Sequence, residues 1–374
     1  MAADKKNLAF QPTFMRVLHV INSMTIGGAE MLLANTLSPG GLQNYTQNVL
    51  VYFNGTSDLI KKIDSSVKVI CLEYTGLLQL PGVLKKLKKI IKENQIDIIH
   101  THLNPADFYV NLIRPKHIPQ VHTLHIAYST DLETRRALKF LEEKLFFLQK
   151  DCNLIFLSQF NKRDFLATLP FTGRGFVLNN FVDDAFFLTP PSHYAHEPKR
   201  ILKIIAVGNF RQQKNYFYLL DIFKYLKRYN IQLDIHGSGG DIEKFRDKVK
   251  ESNYKIILKG QVGNINKIIG DYDLFIMPST NEGFALSVFE AMAASVPVII
   301  SNIPPLKNIV KENAIYFELD DPKGAADLLI SIYKGEIDIN SLASKGRAYA
   351  ENTVRREKYV KKLLKIYQTI LEVQ

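Results

Sequence analysis

The sequence alternates short apolar runs with amphipathic helical patterns, and this alternation most constrains the fold. Each run has the length and composition of a buried strand. Such an order predicts parallel sheets that are covered by helices on both faces. The predicted strands are 17–21, 49–53, 67–72, 96–99, 121–124 and 154–157 in a first series, and 204–207, 233–236, 256–258, 274–277, 298–300 and 315–317 in a second. The predicted helices of the first series are 29–37, 83–92, 106–113, 132–148 and 162–168.

Between the two series the periodicity stops, and Pro190, Pro191 and Pro198 favour an irregular linker. The fold class is therefore α/β, with two doubly wound, Rossmann-like domains that face a central cleft in which a ligand is expected. The predicted divisions are a disordered leader at 1–14, a first domain at 15–185, a linker at 186–199, a second domain at 200–352 and a helical tail at 353–374.

The charge balance is strongly basic, with 48 Lys and Arg against 37 Asp and Glu, or +11. Nucleic acid would explain the charge, but the sequence has no helix-turn-helix, zinc-finger or RNA-binding signature. An anionic membrane surface is the other explanation, because residues 80–93 place Leu84, Leu87 and Ile91 on one helical face and lysines on the others. A core-packed helix with a solvated lysine face explains the same pattern, and the sequence leaves both interpretations open.

Two other features indicate the cellular compartment. No apolar run approaches the roughly 20 residues needed to cross a bilayer, and the N-terminal residues lack the apolar region of a secretory signal. Cys71 and Cys152 have no zinc-ligand spacing and are expected to be buried, reduced thiols. A cytoplasmic protein is the expectation.

The stretch 271–301 carries the most specific chemistry. A predicted strand ends before Pro278, a turn contains Glu282 and Gly283, and a helical pattern follows. Gly283 permits close approach of a ligand to the backbone. The helix N-terminus is expected to present the amides of Phe284, Ala285 and Leu286 to an anion, typically a phosphate.

Glu282 stands before this helix and Glu290 about two turns inside it. The rise of an α-helix separates them by roughly 12 Å, which suits the two ends of one elongated ligand. Taken singly, each glutamate also has a structural explanation. Glu282 could interact with the dipole at the helix N-terminus, and Glu290 could be a solvated residue of the helix face.

The run from Pro278-Ser279 through Glu282-Gly283-Phe284 and Glu290 to Val296-Pro297-Val298 resembles the donor-site signature of the retaining nucleotide-sugar glycosyltransferases of family four. Members of that family have the GT-B fold. The resemblance implies that Glu290 holds the ribose of the nucleotide and that Glu282 binds hydroxyl groups of the donor sugar. It also implies that the final helix of the chain crosses back to the first domain.

Paired glycines, Gly27 and Gly28, stand at the turn between the first strand and the first helix. The turn lacks the GxGxxG pattern, and no acidic residue ends the second strand, so a nicotinamide site is disfavoured. An ordinary glycine-rich turn is the plain alternative. The family resemblance assigns Gly27 and Gly28 to the donor diphosphate and the acceptor.

Four histidines lie at predicted strand ends. His100 and His102 share one face of a strand, whereas His122 and His125 fall on opposite faces, and no carboxylate completes a metal site. No metal is expected. The resemblance implies that His125 contacts the transferred sugar, and His122 is expected in the core.

The second domain opens with Gly208-Asn209-Phe210-Arg211 and, after two glutamines, Lys214. Two cations before a helix can neutralise a departing diphosphate without a metal, although single cations here are more often surface residues. The family has a lysine six residues after the glycine, which Lys214 matches. Asn209 occupies the usual arginine position, so Arg211 is expected to reach the same oxygens. The loop at Gly237 is expected to border the nucleotide pocket.

The predicted function is therefore retaining transfer of a sugar from a nucleoside diphosphate sugar to a saccharide or lipid-linked saccharide. The setting is expected to be surface polysaccharide synthesis, at the inner face of the cell membrane, and no cofactor is expected. Two alternatives stay open on the sequence. One is a nucleotide-sugar epimerase of the same fold, and the other is a binder of nucleotide sugars or nucleic acid without enzymatic activity.

Overall fold

A computed structural model describes residues 14–25, 27–55, 58–125, 152–190 and 200–373. The predicted leader and the helix predicted at 132–148 lie outside or almost outside these ranges, as does most of the predicted linker. The strands are β1 Met15–Ser23, β2 Thr46–Asn54, β3 Lys68–Cys71, β4 Ile98–His102, β5 Gln120–Leu124, β6 Asn153–Phe156, β7 Arg174–Val177, β8 Leu202–Val207, β9 Ile231–His236, β10 Ile256–Gly260, β11 Leu274–Met277, β12 Val298–Ser301 and β13 Ile315–Phe317.

The α-helices of the described ranges connect these strands, and several 3₁₀ turns lie between them. The helices are α1 Gly28–Thr36, α2 Leu80–Glu93, α3 Ala106–Ile113, α4 Gln159–Thr168, α5 Phe217–Phe223, α6 Ile242–Ser252, α7 Leu286–Ala293, α8 Pro304–Val310, α9 Pro322–Tyr333, α10 Ile339–Thr353 and α11 Arg356–Leu371. None of the described helices is both long enough and apolar enough to cross a membrane.

Two parallel sheets organise the chain, as the alternating sequence pattern predicts. The first has the order β3-β2-β1-β4-β5-β6-β7, and the second has the order β10-β9-β8-β11-β12-β13. Both orders run outward in opposite directions from a central pair, which is the doubly wound arrangement. The predicted fold class of two Rossmann-like domains is confirmed.

Each sheet reverses its strand order at one point, between β1 and β4 in the first and between β8 and β11 in the second. In sheets of this kind ligands bind outside the carboxyl ends of the strands at such a reversal. The loops after these strands carry most of the predicted site residues.

The chain divides into two compact units. One comprises Met1–Thr123, Asp151–Asn153 and Tyr367–Gln374, and the other comprises Leu124–Lys150 and Leu154–Ile366. In the first unit, Leu87 and Ile91 of α2 are buried in the core with β1, β2 and β4. The apolar stripe of α2 therefore packs inside the protein, and the helix presents its lysines outward. In the second unit, α7 contributes Phe289 and β12 contributes Ile300 to the core.

The C-terminal tail forms the end of α10 and the whole of α11. One apolar stripe of this tail is buried, from Tyr359 through Leu363 and Ile366 to Ile370. At its far end the Tyr367 hydroxyl lies 2.6 Å from Nδ1 of His100 on β4, within the first unit.

Candidate active site

The loop after β8 is shaped by Gly208, whose φ of +152° is unfavourable for any residue with a Cβ. A Cβ at this position would lie 2.9 Å from the Tyr216 hydroxyl and 3.2 Å from Cε of Lys214. The chain then makes a 3₁₀ turn, Gln212–Lys214, which ends at Asn215 in the left-handed conformation. This geometry folds the Lys214 side chain back over the end of β8.

The loop after β11 leads to α7 without a side-chain cap. Ala285 is the N-cap residue and is left-handed, with φ +55°, so α7 begins at Leu286. The predicted amides of Phe284, Ala285 and Leu286 thus straddle the helix start, and the first turn adds the amide of Ser287. The Phe284 side chain is buried and stacks on Phe289, with ring centroids 5.0 Å apart.

Lys214 and Glu282 meet at the carboxyl ends of β8 and β11. Nζ of Lys214 lies 2.8 Å from Oε1 of Glu282, and the two side chains are only 16% and 10% exposed. The Ser279 hydroxyl donates to the same Glu282 oxygen at 2.6 Å. Two residues that the sequence assigns to different parts of one ligand are therefore in direct contact, at the reversal of the second sheet.

Hydrogen bonds below this pair hold its loops in place, and sequence reasoning missed them. The Ser301 hydroxyl, at the end of β12, donates to the Ser279 carbonyl at 2.5 Å. The Tyr216 hydroxyl donates to the Gly208 carbonyl at 3.2 Å. Burial and the Glu282 carboxylate raise the pKa of Tyr216 far above its ordinary value, so this donor stays protonated. Hydroxyl residues at strand ends are common, so neither bond could be predicted from the sequence.

Glu290 lies half-buried in the middle of α7. Burial raises the pKa of Glu290 to about 7, and the nearby Asp183 carboxylate raises it further, while Lys214 partly offsets the increase. The carboxyl group is thus poorly solvated and lies within electrostatic range of Lys214. Such an environment suits a group that forms hydrogen bonds to a ligand.

Gly237 is required by the packing of two loops. A Cβ at Gly237 would lie 1.9 Å from the carbonyl oxygen of Gly208, so the loops after β8 and β9 touch here backbone to backbone. The Phe210 amide donates to the Ser238 carbonyl at 2.7 Å and extends this contact. Asn209 and Arg211 are exposed on the outer side of the same loop.

In the first sheet, Gly27 and Gly28 follow β1 as predicted. Gly27 is the N-cap residue of α1, and a Cβ there would lie 2.3 Å from a Glu30 carboxylate oxygen. At Gly28 a Cβ would meet nothing within 4 Å, so its backbone is open on that side. His125 follows β5 and is half-buried.

Three histidines lie close together in the first unit, and one of them was not predicted from the sequence. His19 on β1 is paired in register with His100 on β4, and His102 lies beside both. One ring nitrogen from each lies within 4.8 Å of the others, which is a spacing that could hold a metal ion. Only the adjacency of β1 and β4, which a single sequence does not reveal, adds His19 to the pair.

The hydrogen bonds of this histidine cluster indicate a packed core instead. Nδ1 of His100 contacts the Tyr367 hydroxyl at 2.6 Å, and its Nε2 contacts the Thr123 hydroxyl at 2.7 Å. A metal would have to displace one of these partners. Burial lowers the pKa of His19 to about 4, so this ring is neutral at physiological pH.

His122 is buried, as expected of a core histidine. Its Nε2 lies 3.7 Å from Oδ2 of Asp107 on α3. Burial lowers the pKa of His122 to about 3 and raises the pKa of Asp107 to about 7. The His122 ring is therefore neutral at physiological pH, and both side chains are buried, so no exposed catalytic pair results.

The chain resembles known proteins over most of its length. Residues 27–186 match the family profile described as Glycosyltransferase Family 4, and residues 195–353 match that described as Glycosyl transferases group 1. The Escherichia coli enzyme UDP-Gal:alpha-D-GlcNAc-diphosphoundecaprenol alpha-1,3-galactosyltransferase is 26% identical over 324 residues, which cover 80% of this chain and 82% of that protein.

Solved structures share the whole architecture. A glycosyltransferase from Rickettsia africae ESF-5 superposes with a TM-score of 0.78 at 19% identity, covering 97% of this chain and 100% of the other. Anabaena HepE in complex with UDP and glucose gives 0.77 at 16% identity, covering 94% and 98%. These likenesses confirm the predicted GT-B fold.

Proposed function

Since the chain belongs to the glycosyltransferases of family 4 and group 1, we propose that it transfers a sugar from a nucleoside diphosphate sugar with retention at the anomeric carbon. The acceptor is the hydroxyl group of a saccharide or a lipid-linked saccharide. The observation that carries the proposal is the contact between Lys214 and Glu282, 2.8 Å long, at the reversal of the second sheet.

The diphosphate of the donor binds beside Lys214. Before binding, the Lys214 charge is balanced by Glu282 in a partly buried environment. A diphosphate brings additional negative charge to this point, and the first-turn amides of α7 add fixed dipoles directed at it. Arg211 extends from the exposed side of the same loop and supplies a second cation. Asn209, on the same exposed side, contributes a neutral hydrogen-bonding group. Protein cations thus take the place of a metal ion.

The two glutamates bind the two ends of the donor. Glu282 accepts hydrogen bonds from the hydroxyl groups of the sugar, because its carboxylate is fixed by Lys214 and Ser279 next to the diphosphate position. Glu290 binds the ribose hydroxyls of the nucleotide. His125 contacts the sugar, and Gly27 and Gly28 give its diphosphate and the acceptor room close to the backbone. Gly283 and Gly237 do the same on the nucleotide side.

The transfer occurs on one face of the sugar. The acceptor oxygen approaches the anomeric carbon from the side on which the diphosphate departs. The bond from that carbon to the phosphate oxygen breaks, the bond to the acceptor oxygen forms, and the acceptor proton passes to the departing phosphate oxygen. Lys214 stabilises the charge that develops on the phosphate.

The names of relatives suggest which donors to test first. The E. coli relative is named for UDP-Gal, and HepE was solved with UDP and glucose. Uridine nucleotides are therefore the first candidates for this chain. The same E. coli name contains a diphosphoundecaprenol acceptor, which supports a lipid-linked acceptor and a place in surface polysaccharide synthesis at the inner face of the cell membrane.

The test is turnover of Lys214→Ala with a panel of UDP-sugars and a chelator present. We expect turnover to fall by at least about 100-fold, the usual effect of removing a group that stabilises transition-state charge. Wild-type turnover should be unaffected by the chelator. Lys248→Ala on α6, an exposed lysine outside this site, is the control and should retain full turnover.

Removing the Lys214 charge also leaves Glu282 unpaired, so folding must be measured alongside. Lys214→Gln keeps a hydrogen-bond donor for Glu282 and serves as the second variant, with circular dichroism and urea unfolding as checks. Near-normal turnover of both folded variants would remove Lys214 from the mechanism. An isomer formed from the donor alone would show an epimerase instead.

A further inference from the structure

A cavity of about 420 Å³ lies in the second unit, next to the loop that carries Glu282. Its volume falls within the roughly 300–1,000 Å³ of small-molecule sites. Phe284, two residues after Glu282, forms part of its wall together with Phe289. The rest of the wall comes from the segments after β6 and β7, from α8, and from the junction of α10 and α11. We call this space the lysine cavity.

Three lysines line the cavity: Lys311, Lys358 and Lys362. Among the described residues in its wall none is acidic, and the remaining polar side chains are neutral. In the described part of the chain these lysines make no ion pair. Lys358 donates to the Asn352 carbonyl at 3.0 Å, and Nζ of Lys311 lies 5.9 Å from the centre of the Tyr349 ring.

Two nearby carboxylates form ion pairs with cations outside the cavity wall. Glu357 pairs with Lys361 at 2.5 Å, on the side of α11 that does not line the cavity. Glu351 pairs with Arg347 at 2.8 Å. The three lysines lie on the exposed side of the cavity, and no carboxylate is among its described lining residues, so the cavity attracts an anion more strongly than a single surface lysine would.

Neutral polar groups around the lysines are suited to binding the hydroxyl groups of a sugar. The amides of Asn179, Asn308 and Asn352 line the wall, and the half-buried Tyr349 offers part of a ring face. Amides provide both donors and acceptors for hydroxyl groups. Phosphate or carboxylate chemistry alone would not need them.

We propose that the lysine cavity binds a saccharide that carries a phosphate or a carboxylate, and that this saccharide is the acceptor. The identification as acceptor rests on the proposed function, because the cavity adjoins the loop assigned to the donor sugar. The inference that an anion binds here rests only on the residues that line the cavity. The acceptor class is thus an anionic saccharide.

The experiment is calorimetric titration of the protein with inorganic pyrophosphate, with glucuronate and with glucose at constant ionic strength, each in the presence of saturating UDP so that the diphosphate position beside Lys214 is already occupied. The test variant is the double substitution Lys358→Gln and Lys362→Gln. The matched control is Lys345→Gln with Lys365→Gln, which removes two exposed charges from α10 and α11 outside the cavity. Lys214→Ala marks binding in the donor site, and a UDP titration of every variant tests the proposed function separately.

We expect the test variant to bind at least one of the two anions about tenfold or more weakly than the wild type, as for the loss of charge-assisted hydrogen bonds. The control and Lys214→Ala should keep that binding, and UDP affinity should be unchanged in the test variant. If the test variant binds pyrophosphate more weakly, the saccharide carries a phosphate. If it binds glucuronate more weakly, the saccharide carries a carboxylate. Equal affinities in the test variant and wild type, or equal losses in the control, would overturn the proposal. The proposal would also be overturned if only Lys214→Ala abolished anion binding. It would be overturned as well if the test variant lost glucose binding to the same extent as anion binding. Loss of UDP binding by Lys214→Ala bears on the donor site alone.

Discussion

At the scale of single residues, the environment of Glu290 in the folded protein shifts its pKa in a way that can be tested. Its ordinary pKa of 4.5 is raised to about 7, chiefly by burial. The folded protein therefore holds the Glu290 proton more tightly than the unfolded chain does. By linkage, this group stabilises the fold relative to its ionised form below pH 4.5, and that stability is lost as the pH rises through the interval from 4.5 to about 7.

Glu290→Gln removes this titration. Without ligand, the free energy of unfolding of the wild type should fall by about 1–3 kcal/mol more than that of the variant between pH 4.5 and pH 8. Urea unfolding at a series of pH values measures the difference. Parallel pH profiles would show that Glu290 is not desolvated in the folded protein. If Glu290 binds the ribose as proposed, the variant should also bind UDP more weakly, because the carboxylate oxygen that accepts from the ribose is replaced by an amide nitrogen.

The residues of the candidate site were predictable singly but not as a set. Lys214, Glu282 and Glu290 follow from motifs that lie within about fifteen residues of a strand end. The contact of Lys214 with Glu282 depends on β8 and β11 being neighbours, which is a tertiary fact. His19 was missed for the same reason. A single sequence contains the strands but does not contain their order.

At the scale of elements, strand prediction succeeded where the strand is a continuous apolar run. β11 and β13 have the predicted bounds. β7 was missed, because this edge strand contains Arg174 and Gly175 and is only half-buried throughout. A strand with one neighbour needs no continuous apolar run. α7 begins at Leu286 after a left-handed Ala285 in place of a conventional cap, so the predicted amides of Phe284 and Ala285 precede the helix.

The contact between the loops after β8 and β9 is the element-scale feature on which the site depends. Gly237→Ala places a Cβ 1.9 Å from the Gly208 carbonyl, so one loop must move. We expect a loss of about 1–3 kcal/mol in unfolding free energy, as for overpacking, together with weaker UDP binding because the moved loop carries Lys214.

Gly240→Ala in the same loop is the control, since a Cβ there meets nothing within 4 Å. Urea unfolding and UDP titration of both variants make the measurement. If both variants behave alike, the contact between the two loops does not position Lys214.

At the scale of the whole molecule, the net charge of +11 has no single explanation in the site. The donor loops and the lysine cavity use only a few of the cations. The outward face of α2 carries Lys85, Lys88 and Lys92, which make no ion pair within the described ranges. Because its apolar stripe lies in the core, α2 can meet an anionic membrane surface only through charge, without inserting into the lipid.

Such adsorption has a clear signature in vesicle binding. Each lysine near an anionic surface contributes about 1 kcal/mol, so Lys85→Gln, Lys88→Gln and Lys92→Gln together should weaken binding to phosphatidylserine vesicles on the order of 100-fold. Binding by the wild type should fall steeply as salt rises, because the Debye length shortens. The control changes three exposed lysines of α6, Lys244, Lys248 and Lys250, to glutamine and lowers the net charge equally. Equal losses in both triple variants would assign adsorption to net charge, whereas no binding by the wild type at low salt would exclude the membrane surface as a partner.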